Sequence, residues 1–319
     1  MLVDVQTGEL VMRGRAIASE VSIRVLPAAD PASTELGLTR AMELFAAVEA
    51  ACSRFKPTSA LSRANARPAR PVRVGSLCLA VLREARAAHV LTAGRFDPRV
   101  LDDLVNLGYG HSLPFETGGV EVNHDLPAVR PARPPWCPRF VSRGAVAWLG
   151  PHRVDLGGIA KGVAVRWASA ILASIESDYL VEAGGDCYCS GSAPGGSPWR
   201  IGVENPDGSA DPLAVLALEN ASCATSSVRL RHWKLGATEV HHLIDPATGR
   251  PAAGGLASVT VVGTDPALSE VWSKVLFIEG SKRADAIARD RQLAALWVSD
   301  SGKVHWSPDM DRYLMWVAR

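Results

Sequence analysis

The sequence predicts an α+β fold. Segments that alternate apolar and polar residues lie beside segments with apolar residues at helical spacing, and the two kinds interleave without a regular strand-helix-strand rhythm. No short period repeats along the 319 residues. A hydrophobic content of 47% with 21% charged residues belongs to a globular chain able to bury a sizeable core.

The elements follow in chain order. Residues 17–26 (IASEVSIRVL) alternate and fit a strand with one wet face. Residues 38–51 carry apolar residues at helical spacing, and the next stretch, SRFKPTSALSRAN (53–65), breaks that helix at Pro57. Residues 76–92 form a second helix, rich in Ala and Leu and ended by Gly94. The tract 111–139 holds six prolines and no period, which fits a long loop or an insertion between two lobes. VDLGGIAKG (154–162) reads as a short strand leading into a helix over 163–176, and YLVEAGGDCYCSG (179–191) as strand, glycine turn and strand. WRIGVENP (199–206), the apolar run 213–218 and ASVTVVG (257–263) add strands; 267–280 is a helix closed by Gly280.

Composition narrows the function. A net charge of +1 lacks the basic excess of a nucleic-acid binder. No run reaches the roughly 18 apolar residues that a membrane span needs. The opening MLVDVQTGEL lacks the basic, apolar and small-residue succession of a signal peptide or lipoprotein anchor, so a cytoplasmic protein is expected. None of the six cysteines forms a C-x-x-C pair; Cys187 and Cys189 alternate on one strand and read as small apolar residues on the same face.

Glycine and acid recur together in the second half: Asp155 with Gly157 and Gly158, Gly184 and Gly185 with Asp186, Asp245 with Gly249. Paired glycines let a backbone approach a ligand and offer N–H groups to anionic oxygens. Lys161, near a helix start, suits a phosphate or pyrophosphate there. Neither a Walker loop nor a GxGxxG fingerprint is present. The stretch HHLIDPATGRPA (241–252), taken alone, is equally a strand ending in a Pro-Gly loop.

Taken in order, RAIASEVSIRV, SRFKPTSALSRAN, GRFDPRV with LVNLGYG, VDLGGIAKG, VEAGGD, WRIGVENP, SCATSS and HHLIDPATGRP resemble the ApbE family of flavin transferases, over about residues 15 to 290. The resemblance implies a T-fold-like architecture, a single large two-lobed domain spanning 1–319, and FAD as substrate. It implies magnesium-assisted transfer of FMN from FAD to a threonine hydroxyl of an acceptor flavoprotein carrying a Ser/Thr-Gly-Ala-Thr segment, with AMP leaving. His242 then serves as general base, its pKa lying near working pH, and Asp245 orients that imidazole or holds the turn. Ile17, Phe55, Arg95, Phe96, Asp97, Asp155, Lys161, Gly185, Asp186, Leu243 and Ile244 fall where the family holds FAD. The magnesium ligands map onto the Gly158 carbonyl, Glu270 and Ser273.

The chain departs from the family pattern at several places. Glu270 stands for Asp and Lys274 for Thr in the helix that supplies metal ligands; Ile17, Ala18 and Ser19 stand for Met-Gly-Thr; Arg99 stands for Thr. Glu270 keeps a hard oxygen, but the Lys274 ammonium cannot ligate a cation. Three readings follow. Lys274 takes the metal's place beside a pyrophosphate, or the site has decayed to non-catalytic FAD binding, or the Glu-Lys pair is solvated with metal bound nearby. Hydrolysis of FAD to FMN and AMP is a further enzymatic alternative.

Overall fold

The computed structural model describes residues 8–28, 30–115, 120–122, 126 and 128–318. Residues 1–7, on which part of the signal-peptide expectation rests, and 116–119, 123–125 and 127 of the Pro-rich tract lie outside the described residues. Eight strands form one fully antiparallel sheet whose spatial order is the chain order: β1 (Leu10–Ala16), β2 (Ser19–Val25), β3 (Tyr179–Ala183), β4 (Asp186–Ser190), β5 (Ala221–Ser227), β6 (Leu256–Gly263), β7 (Ala294–Ser299) and β8 (Val304–Trp306).

Alternation along the strands divides the interior in two. Val181, Ala183, Val259, Val261, Ala295 and Trp297 face the helices, whereas Leu180, Cys187, Cys189, Cys223, Leu296 and Val298 face a second, three-stranded sheet built from Trp199–Val203, Ala214–Leu218 and Leu314–Val317. The two strand cysteines therefore do share a face, and all six cysteines are free. On the helical side lie α1 (Pro31–Cys52), α2 (Ala60–Asn65), α3 (Gly75–Leu91), α5 (Ala160–Leu172), α6 (Pro266–Glu279) and α7 (Ser281–Asp290), whereas α4 (Leu101–Asn106) places Leu104 in a separate cluster with Leu107, Tyr109 and Trp233. Buried Leu38, Ala41, Phe45, Val48 and Cys52 give α1 its core stripe. Among the described residues no helix is long and apolar enough to cross a membrane.

Several boundaries differ from those expected. α1 starts at Pro31, because the Asp30 side chain accepts the Ser33 N–H and proline is pre-set for the first helical position. The expected strand at 17–26 begins at Ser19, since Ile17 and Ala18, both at φ 53°, form the two-residue hairpin turn. No strand forms at 154: the Val154 N–H and C=O are both taken by the Asn65 amide, at 2.9 and 2.8 Å. The helix expected over 163–176 is α5, running from 160 to 172.

The described part of the Pro-rich tract packs against the body. Trp136, 2% exposed, donates its indole N–H to the Leu149 carbonyl, and its backbone N–H to His89 Nε2 at 3.0 Å. Because His89 Nε2 accepts, its Nδ1 donates to the Phe96 carbonyl; burial keeps this ring neutral by lowering its pKa. Arg130 and Arg133 both fork onto buried Asp103 of α4. The Arg130 N–H reaches the Thr248 carbonyl at 3.1 Å, and so ties the tract to the 245–249 turn.

Where α5 crosses α6, Gly162 leaves no room for a side chain: a Cβ there would stand 2.5 Å from the Pro266 carbonyl oxygen and 2.7 Å from Ala267 Cα, both backbone atoms. Gly162→Ala is expected to destabilise the protein by about 1–3 kcal/mol through overpacking, read as a drop in the urea midpoint with unchanged slope. An unchanged midpoint would mean that the two helices part freely.

Candidate functional site

The site gathers at one end of the sheet, where two turns meet. The Ile17–Ala18 turn joins β1 to β2, and the Gly184–Gly185 turn, at φ 57° and 86°, joins β3 to β4. They are packed together: Gly184 N–H donates to the Glu20 carbonyl at 2.9 Å, and a Cβ on Gly184 would fall 2.5 Å from Ser19 Oγ. Asp186 follows the turn, 2% exposed. One of its oxygens accepts the Thr225 N–H at 3.2 Å and the other takes the Lys161 ammonium from the first turn of α5.

The loop before α5 is bonded throughout. The Asp155 N–H donates to the Pro98 carbonyl at 2.7 Å, which joins VDLGGIAKG to GRFDPRV. One Asp155 oxygen accepts the Gly157 N–H, and the other pairs with Arg54 Nε at 2.7 Å. The Arg54 guanidinium lies 4.0 Å from the centre of the Phe55 ring and 4.5 Å from that of Tyr109. Phe55 thus has a cation over its ring, in the aromatic group of Tyr109, Phe115 and Trp233. Within GRFDPRV, the buried Asp97 carboxylate is held by the side chain and N–H of Arg99.

Gly158 is pressed between Phe96 and the stem of Lys274. A Cβ at this glycine would lie 3.2 Å from the phenyl ring and 3.3 Å from Lys274 Cε. Lys274 Nζ is 3.1 Å from Glu270 Oε1 and 3.4 Å from the Glu270 carbonyl. Glu270 is fully buried, and its second oxygen accepts the Gly162 N–H of α5 at 2.8 Å. Ser273 Oγ donates to the Glu270 carbonyl at 3.0 Å and lies 2.8 Å from Ser226 Oγ on β5.

The two histidines part company. His241 turns inward, edge-on to Phe277, with Nε2 on the Ala252 carbonyl at 3.1 Å and Nδ1 accepting the Leu243 N–H. His242 is half-buried, with Nδ1 3.2 Å from the Arg231 carbonyl. A carbonyl only accepts, so Nδ1 carries the proton and Nε2 the lone pair. Desolvation, then the charges of Arg231 and Lys274 and the neighbouring His241, hold the His242 pKa well below the ordinary imidazole range. Leu243 and Ile244 are buried, in the helical core and in the Trp233 cluster respectively. Asp245 accepts the Ala247 N–H at 2.9 Å and Arg95 Nη1 at 3.3 Å, and Arg95 also pairs with Glu279. Those bonds serve the turn.

The structure brings Gly158, Phe96, Glu270, Ser273 and Lys274 into one packed group, with Lys274 in the electrostatic surroundings of His242. Lys161, Gly185, Asp186 and Ile17 sit at the turns, and Arg95 joins Asp245. Arg54, Arg130, Arg133 and His89 were missed by sequence reasoning. Only the arginines of the Pro-rich tract gave a signal, being cations with no periodic face of their own to occupy.

Together the fold and the site define a layered α+β protein with a glycine-lined sheet end that carries a largely buried lysine–aspartate pair. The chain belongs to the ApbE family, whose model matches residues 17–297. An FAD:protein FMN transferase of Haemophilus influenzae is 28% identical over 285 residues, covering 81% of this chain and 77% of that protein. One of Vibrio cholerae is 30% identical over 252 residues, covering 77% and 74%. The crystal structure of an ApbE protein from Thermotoga maritima superposes with a TM-score of 0.79 at 25% identity, over 95% of this chain and 98% of that one.

Asp186→Asn keeps an acceptor for the Thr225 N–H but leaves Lys161 without its carboxylate. The expected loss is on the order of 2 kcal/mol of unfolding free energy, measured by urea denaturation of the apo protein. Stability equal to that of the natural chain would show the ammonium already satisfied by solvent.

Proposed function

We propose that this chain transfers FMN from FAD to a threonine hydroxyl of an acceptor flavoprotein with a Ser/Thr-Gly-Ala-Thr-type segment. The observation that carries the reading is the state of His242: a neutral ring, its Nδ1–H fixed on the Arg231 carbonyl and its Nε2 lone pair free to take a proton. The threonine oxygen attacks the FMN phosphorus, its proton passes to Nε2, the phosphoanhydride P–O bond breaks, and AMP leaves with the electron pair. Lys161 and Lys274, restrained by Asp186 and Glu270, set positive charge beside the pyrophosphate. Water in place of threonine gives hydrolysis of FAD by the same displacement. In this reading residues 1–319 act as one flavin-handling domain, with the Pro-rich tract near 111–139 as a loop or insertion within it. The cytosol suits the six free cysteines, which a reducing compartment preserves.

His242→Ala is expected to lower transfer by roughly 10²–10⁴-fold while leaving FAD affinity in place. The measurement is acceptor mass against time, beside a flavin fluorescence titration. Because the His242 pKa is lowered, its neutral form persists to lower pH, and the acid limb of kcat/KM should lie below the ordinary imidazole range. An acid limb at or above that range assigns the proton transfer to another group.

A further inference from the structure

Magnesium at Gly158, Glu270 and Ser273 does not fit the residues present. Both Glu270 oxygens are committed, one to the Gly162 N–H at 2.8 Å and one to the Lys274 ammonium at 3.1 Å. Ser273 Oγ is spent on the Glu270 carbonyl and Ser226. A divalent ion of this kind demands about six oxygens in near-octahedral array, and here a fixed positive charge already stands among the donors.

We propose that Lys274 is the resident cation of this site, so that the pyrophosphate of a dinucleotide binds here without a divalent metal. This rests on the flavin reading above. A solvated helix pair would leave both partners exposed, yet the Lys274 side chain is 17% and that of Glu270 1% exposed. The lysine stem lies against Gly158, and such packing fixes where the ammonium can be. An ammonium has three N–H donors. Two point at Glu270 Oε1 and the Glu270 carbonyl, which leaves the third for an anionic oxygen beside Gly158. Glu270 acts as a positioning residue, since its other oxygen is anchored on α5.

The test is titration of the full chain with FAD, and with riboflavin as a phosphate-free probe, in magnesium and in EDTA, followed by flavin fluorescence. The natural chain should bind FAD equally in both media. Lys274→Met, with its melting temperature checked, should weaken FAD by about tenfold or more in EDTA and leave riboflavin unchanged, as expected for loss of a charged hydrogen bond to phosphate. The double variant Glu270→Asp with Lys274→Thr should bind FAD tightly only in magnesium. FAD binding by the natural chain that requires magnesium overturns the proposal and leaves the flavin reading standing; so does full FAD affinity of Lys274→Met in EDTA. Failure of the natural chain to bind either flavin in either medium overturns the flavin reading itself, and this proposal with it.

Discussion

The carboxylate of Glu270 is the interaction on which the rest of the site depends. It is fully buried in α6, and it divides its two oxygens between an amide of α5 and an ammonium of its own helix. A charge in that position is tolerated only when it is fully hydrogen-bonded, so the two helices must hold their mutual offset for the protein to remain folded. Gly162 allows the approach, and two serine pairs, Ser222 with Ser269 and Ser226 with Ser273, fix α6 along β5. The glycine loop therefore inherits its place from the sheet through α6.

Around this centre the same device recurs. Asp155 is shared between Gly157 and Arg54, Asp97 is gripped by Arg99, and Asp103 receives both Arg130 and Arg133. Buried pairs of this kind add little net stability compared with apolar packing, but removing one partner strands a charge. Their value lies in geometry. The Arg54–Asp155 pair and the two arginines on Asp103 join segments distant in sequence, whereas Asp97 and Arg99 brace a single turn.

Much of the fold was legible because patterning is local. β3, β4 and α6 fall within a residue or so of the expected spans, since alternation, a glycine turn and helical spacing fixed them. The missing strand at 154 was not legible: Val154 is suited to a strand, but its backbone is taken by Asn65, a partner 89 positions away. The site divides in the same way. Gly185, Asp186 and Lys161 stood out as glycine, acid and cation close together, whereas Arg54 lies in a stretch where nothing nearby requires a cation. Lys274 was visible only as a departure from the family pattern; its packing on Gly158 needed coordinates.

The order of the sheet also shapes how the chain must assemble. Seven of its contacts join strands that follow one another, yet the β2–β3 pairing spans the roughly 150 residues between Val25 and Tyr179. Loop-closure entropy grows only slowly with length, but it must be met before the contact gives anything back. All of α1 to α5 lie inside that loop, and Gly184 bonds Glu20 just beyond its closing pair. The Ile17–Ala18 and Gly184–Gly185 turns cannot meet until this longest closure is made, so a nascent chain that has not yet emerged past residue 185 has no such sheet end at all.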